Sequence, residues 1–508
     1  MTSPTPDHEV VIVGAGFSGI GVAIKLDQAG IRDFVLLEQE SGVGGAWHSN
    51  TYPGVVVDVP SFAYSYSFEQ SAEWSGVYAK GAELAQYARM CVDKYNLRRR
   101  LRLNTTVADA EFDAAQHIWN ITLEGGELLT ARFLVTATGV LTKPKLPDIA
   151  GISEFQGSIM HTARWDHSTD LIGKRVAIIG TGASSVSITP TIAPIVEHLT
   201  VFQRTPIWIM PKPDATLDGP ARSILRHVPG ALGALRGASN LLGECSYTLT
   251  TNFYRQLPQL PKLFEQLGRT TLRRQVHDPV IREKLTPTYA VGCKRIGFSN
   301  DYLPTFNRAN VTLETSGIEA VTAHGIRTAD GVEHEVDVLL LATGFKTFEP
   351  GNMPPFPIRG VDSTDLEAWW ARHRYQAYQG LSVPGFPNLL IVNGPYGYNL
   401  SVYFQFVESQ AKHIVRLLRG AHERRATLVD VTPHANARFW ASMLRRRRNQ
   451  IYFSGNCTGS NSYFFDPHGD VPIRAASTPE THWRAAHFDM NDYQWSSIRT
   501  PETVGAGQ

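Results

Sequence analysis

"EVVIVGAGFSGIGVAIKLDQAG", residues 9–30, reads as strand, glycine turn and helix. Val10 to Val13 is a short continuous apolar run, as a buried parallel strand requires. Gly14-x-Gly16-x-x-Gly19 follows, and the helix that starts near Ser18 is stopped by Gly30. "FVLLEQE" then supplies a second strand ending on Glu38. Glycines at this spacing allow a tight turn and let a pyrophosphate approach backbone N–H groups at a helix N-terminus. They also let helix and strand pack closely. An acid closing the second strand can accept hydrogen bonds from ribose hydroxyls. The unit reads as a dinucleotide site, with Gly14, Gly16, Phe17, Ser18, Gly19 and Glu38 as its binding residues.

The pattern returns once. "KRVAIIGTGASSVSITPTIA" holds Gly180-x-Gly182-x-x-Ser185, and "HLTVFQRTP" is the strand after it. Ser185 is small enough to preserve close packing, and Ala183 and Ser184 complete the turn. The strand ends in Gln203-Arg204-Thr205 with no acid. Arg pairs with a 2′-phosphate that an acid would repel, so this site favours NADPH over NADH. "RFLVTATG", closing at Gly139, and "VDVLLLATGF", closing at Gly344, are a further matched pair of buried strands. Two sites imply two dinucleotides, FAD at the first and NADPH at the second, with hydride passing between them.

The expected fold is α/β: two doubly wound dinucleotide-binding (Rossmann-like) domains. A discontinuous FAD domain covers residues 1–142 and 346–508, a proline-rich linker 143–149, and an NADP domain 150–345 with a helical insertion at about 214–290. At 508 residues the chain exceeds one ordinary core. A formal charge of +1 gives no global field for nucleic acid or an anionic membrane. The runs Arg98–Arg100 and Arg445–Arg448 read as solvated surface, with an anion or partner contact as the alternative. Four cysteines without a C-x-x-C pair are few for a disulfide scaffold and point to a reducing cytosol. No basic leader is seen, and no apolar run reaches the roughly 20 residues of a membrane span. No metal site is expected, and the chain is expected to act as a monomer or homodimer.

Disulfide reductases and flavin monooxygenases share this layout. The former need a redox cysteine pair beside the flavin, but "GGAWHSNTYPGVVVD", residues 44–58, has no cysteine, and Trp47 stands near where the pair would lie. A monooxygenase needs none, because oxygen accepts the electrons.

Phe155-x-Gly157-x-x-x-His161-x-x-x-Trp165-Asp166 resembles the fingerprint of the Baeyer–Villiger monooxygenases. Gly44-Gly45-x-Trp47, then Tyr52-Pro53-Gly54 and Asp58, match a second family pattern, and Cys293-Lys294-Arg295 a third. With both nucleotide signatures the resemblance spans about residues 8–400. It implies that NADPH reduces FAD, that O2 adds to give a C4a-peroxyflavin, and that this converts a ketone to an ester or lactone. Arg295 would be the active-site arginine and Asp58 its carboxylate partner. Lys294 would join Arg204 and Thr205 at the 2′-phosphate, while Gly45 and Trp47 would lie near the flavin. His161 reads as structural, holding a joint between the two domains, more than as a proton carrier. The resemblance leaves a rival, an S- or N-oxygenating flavin monooxygenase, and a more distant one, an NADPH oxidase-type flavoprotein with little oxygenation.

The chain departs from the family at Thr51, where Arg is frequent, and at Val57, where Cys is common. Its late loop, 455–477, has no Trp to cover NADP, so Tyr463 or Phe464 is the expected substitute. Tyr396, Tyr398, Phe404 and Phe406 fit either an apolar pocket or the core.

Overall fold

The computed structural model describes residues 5–498. The first glycine unit forms as read: strand His8–Val13, helix Phe17–Gln28, strand Phe34–Leu37. The strand His8–Val13 lies between Phe34–Leu37 and Leu128–Thr136, parallel to both. The antiparallel strands Val107–Asp113 and Ile118–Leu123 extend this sheet to one side. The chain returns late to the same sheet. Leu389–Ile391 pairs in parallel with Leu128–Thr136, and Ile358–Arg359 with Val107–Asp113.

The helix Phe17–Gln28 is buried on nearly every side, and its moment is correspondingly weak. The long amphipathic helix Tyr403–Arg424 covers it. The two meet at Gly21, where a Cβ would lie 2.7 Å from the Val407 side chain.

The second unit is a five-stranded, wholly parallel sheet. Its strands, in spatial order, are Val311–Glu314, His198–Phe202, Arg175–Ile179, Val338–Leu341 and Ser158–His161. The helix Ala183–Ile192 comes directly after the second glycine turn. Between strands of this sheet the chain makes the helices Gly219–His227, Ala231–Gly243 and Gln259–Gln275. A small antiparallel sheet, residues 318–335, packs against it, and no short-period signal in the sequence had announced it.

Two expectations are corrected here, and one open alternative is decided. The fingerprint stretch is more than a joint: Ser158–His161 is the edge strand of the second sheet, in register with Val338–Leu341. It lacks alternation because Met160 and His161 are both buried while the two residues before them are exposed. The cysteines are not all thiols, because Cys293 and Cys457 form a disulfide across 164 residues, while Cys91 and Cys245 are free. Tyr396, Phe404 and Phe406 belong to the core rather than a pocket. Within the basic runs, Arg98, Arg100, Arg446 and Arg447 each pair with a carboxylate.

Candidate active site

The residues of the first turn divide by function. Gly14 holds φ +105°, and a Cβ there would meet the Ala137 carbonyl oxygen at 2.7 Å. Gly16 and Gly45 pack backbone to backbone, with a Gly45 Cβ falling 3.1 Å from the Gly16 Cα. Gly44 N–H donates to the Ala15 carbonyl at 3.0 Å, so the G-x-G turn and the G-G-x-W motif form one cradle. The helix after Gly16 has no side-chain cap and no acid in its first turn, which leaves its leading N–H groups for an anion. Phe17 and Ser18 have their side chains engaged elsewhere, so only their backbone faces the turn. The Phe17 ring sits among Tyr66 and Phe404, and the Ser18 hydroxyl is engaged by Tyr403 at 2.6 Å and Asn393 at 3.1 Å. Glu38 is buried and accepts from Ala15 N–H at 2.7 Å and Glu40 N–H at 3.0 Å. Burial pushes its pKa up against those two bonds. Gly139, at φ +72°, ends the Ala-Thr-Gly turn with open space beside it.

The second turn repeats the first. Gly180 holds φ +109°, and a Cβ would meet the Ala342 carbonyl oxygen at 2.5 Å. Gly182 caps its helix with no side-chain bond, no acid in the first turn, and nothing within 4 Å of a Cβ. Ala183 and Ser184 lie at the accessible helix start, and Ser185 is fully buried. Arg204 is exposed at the strand end. Lys294 comes near it from 90 residues downstream: burial first, and the Arg204 charge second, push Lys294 down to about 8. Two cations, one exposed and one half-buried, converge at the end of this strand, an arrangement suited to an anion. The Thr205 hydroxyl accepts from Asn461 Nδ2 at 2.7 Å, which ties the late loop to this site.

One segment joins the two. Tyr52 is buried in the core of the second sheet, and a Cβ on Gly54 would lie 2.6 Å from the Ser187 carbonyl oxygen of the second helix. Trp47, before it, donates from Nε1 to Tyr64 Oη at 3.1 Å. Asp58, after it, grips Arg295: Nε donates to Oδ2 at 2.7 Å and Nη2 to Oδ1 at 2.8 Å. Their side chains keep 29% exposure for Arg295 and 27% for Asp58. Burial raises the Asp58 pKa, but the charge and hydrogen bonds of Arg295, with Lys212, hold it below the usual range. Burial likewise opposes the Arg295 charge, and Asp58, Tyr247 and Tyr463 more than restore it. Arg has five N–H donors. Asp58 takes two, which leaves Nη1 and one Nη2 hydrogen.

The fingerprint residues lie apart from this pair. Phe155 is buried under the second sheet, and Gly157 passes so close to Asp337 that a Cβ would lie 2.3 Å from its carbonyl oxygen. His161 Nδ1 accepts from Ala163 N–H at 3.1 Å, and its ring meets Phe345 edge-on at 5.9 Å. Burial keeps its pKa below the imidazole range. Trp165 packs on the second core, and Asp166 is spent on Ser168 and Thr169.

The comparisons with known proteins agree with this architecture. Residues 11–228 match the family described as pyridine nucleotide-disulphide oxidoreductase. A Baeyer–Villiger monooxygenase of Pseudomonas aeruginosa is 38% identical over 92% of this chain and 88% of its own. The chain belongs to the Baeyer–Villiger monooxygenase family. As such it is a flavin-dependent monooxygenase. A second family member, from Streptomyces coelicolor, is 36% identical over 98% of this chain and 94% of its own. The crystal structure of OTEMO in complex with FAD and NADP superposes with a TM-score of 0.85 at 28% identity, over 97% of this chain and all of that one.

Residues missing from the sequence reading are Tyr64, Tyr78, Lys212, Tyr247 and Asn461, all brought in by tertiary packing. Lys212 lies 4.5 Å from the Tyr78 ring centroid and within the field of Asp58. Nothing in their sequence neighbourhoods marks them, because each belongs to a segment without a glycine signature.

Proposed function

We propose that this enzyme converts a ketone to an ester or lactone, with O2 as co-substrate, FAD on the first glycine turn and NADPH on the second. The observation that carries the reading is the Arg295–Asp58 pair, at the end of the segment that runs from one turn to the other. The chain fits both cofactors: uncapped helix N-termini face each turn, Glu38 stands ready for ribose hydroxyls, and Arg204 with Lys294 for a 2′-phosphate. Bound FAD, once reduced by NADPH, supplies the activation of dioxygen.

The protein's part is electrostatic and positional. Asp58 fixes the Arg295 plane, and the remaining guanidinium N–H groups stabilise negative charge developing on the reacting oxygens. Because Asp58 keeps Arg295 charged, no proton need move at this side chain. The FAD domain is assigned residues 1–142 and 346–508, and the NADP domain 150–345. Among the described residues no helix is long and apolar enough to cross a membrane. Small molecules as partners complete the reading; the Cys293–Cys457 disulfide removes the cysteine argument for a reducing cytosol.

Arg295→Ala is expected to leave NADPH-driven bleaching of the flavin intact while ester formation from a ketone panel, followed by mass spectrometry, falls by at least about 100-fold. Undiminished ester yield would sink the mechanism.

A further inference from the structure

The helical insertion reaches the active-site pair at Tyr247. From Ala231 to Asn252 the chain is continuous helix, and over Glu244–Leu249 it widens into π geometry. Thr250 Oγ1 bonds the Cys245 carbonyl five residues back, at 2.9 Å. A π turn accommodates one extra residue, which rotates the downstream side chains by about 100° relative to an α-helix, and such turns concentrate at functional sites.

The rotation has a visible result. The Tyr247 ring lies beneath the Arg295 guanidinium, with 5.2 Å between ring centroid and Cζ. Tyr247 is 5% exposed and packs in a cluster with Trp208, Cys293 and Ile296. Burial raises its phenol far above the usual range, so a neutral ring and not a phenolate faces the cation. The hydroxyl itself is buried and has no hydrogen-bond partner among the described residues. An orphaned buried hydroxyl costs free energy that a phenyl ring avoids. The contact with Arg295 is made by the ring and not by the oxygen.

The restraints on Arg295 are complementary. Asp58 holds two N–H groups on one edge, within the guanidinium plane. A pair held only at an edge still tilts about that edge. An aromatic face beneath the cation opposes the tilt, through the attraction of the ring quadrupole and through contact.

We infer that Tyr247 is a positioning residue for oxygenation: its ring, delivered by the π turn, fixes the tilt of Arg295 so that the free N–H groups point at the reacting oxygens. This rests on Arg295 being the active-site arginine, and the test separates the two. Tyr247→Leu, Tyr247→Met, Tyr247→Phe and Arg295→Ala are compared for flavin reduction by NADPH, ester formed per NADPH consumed, KM for the ketone, and melting temperature. All are expected to reduce flavin at the parent rate. The Leu and Met variants should lose about tenfold in ester per NADPH at unchanged KM. The Phe variant should keep the parent ratio and melt higher. The Met variant decides the matter if the Leu variant fails to hold flavin. A Phe variant as poor as Leu and Met overturns the inference in favour of the hydroxyl. Leu and Met variants with the parent ratio overturn it in favour of simple core packing. Undiminished ester from Arg295→Ala refutes the role of Arg295 instead.

Discussion

The two glycine turns are built against the same neighbour and then diverge. Gly14 and Gly180 each hold a positive φ against the carbonyl of an alanine, Ala137 or Ala342, that opens an Ala-Thr-Gly stretch. At the third position the likeness ends. A Cβ on Gly19 would lie 1.9 Å from the Gly14 carbonyl oxygen, so nothing larger than hydrogen fits. Ser185, its counterpart, has a complete side chain, fully buried, with its hydroxyl 3.2 Å from that of Thr189. The second turn therefore leaves room for a Cβ where the first does not. The surroundings differ in the same sense: Glu38 is buried at the end of its strand, whereas Arg204 is exposed. The first turn is thus the more closely packed and the more buried at its strand end, and the second the more open. Both turns let phosphate approach the backbone; helix packing and exposure are free to vary around that shared requirement.

The harshest test of that contrast is steric. Gly19→Ala forces backbone to yield and is expected to cost at least about 3 kcal/mol and to abolish flavin retention. Ser185→Ala, which removes one hydroxyl from a site that already holds a Cβ, should melt within about 1.5 kcal/mol of the parent and keep its flavin. Thermal unfolding and flavin content of the two purified variants decide it. A Gly19→Ala protein that retains flavin and melting temperature would break the comparison.

The contrast in charge comes next. Arg204→Ala is expected to raise KM for NADPH by about 10- to 100-fold, the range of a lost charge-assisted hydrogen bond, while KM for NADH changes little. Equal effects on both nucleotides would remove the 2′-phosphate from this site.

The turns were legible in the sequence and other parts were not because of range. Gly14-x-Gly16-x-x-Gly19 and Glu38 act within one strand–turn–helix–strand unit, and their spacing is set by local geometry. Arg295 and Asp58 are 237 residues apart, and no periodicity joins them; a family resemblance was needed to name the pair. Tyr247 was beyond either route, since a π turn has no sequence signature and cation–aromatic contact is a tertiary event. The Cys293–Cys457 link escaped for the same reason, because four cysteines without close spacing leave the pairing undetermined. The edge strand at Ser158–His161 reads as a joint in the sequence because it is short and its exposed residues precede its buried ones. A strand at a sheet edge has only one neighbour to impose a pattern.

The finest distinction between the two turns concerns protons. Glu38, buried, accepts two backbone N–H groups, and burial raises its carboxyl above the usual range against those bonds. Lys294 is different, because burial and the Arg204 charge place its pKa at about 8, within reach of ordinary assays. A bound 2′-phosphate, doubly charged above pH 7, favours the ammonium form and draws this pKa upward. Binding at pH 8 to 9 must then take up a proton, whereas binding at pH 7 finds Lys294 already charged. Affinity for NADPH is therefore greatest below about pH 8 and weakens as pH rises through that value. KM for NADPH should climb by up to about tenfold between pH 7 and pH 9. In Lys294→Met the slope should vanish, with KM high throughout, and in Arg204→Ala the midpoint should move to higher pH as the repelling charge is removed. A parent enzyme whose KM for NADPH is flat from pH 7 to 9, or a Lys294→Met variant that keeps the slope, would take Lys294 out of the phosphate site and leave Arg204 to hold it alone.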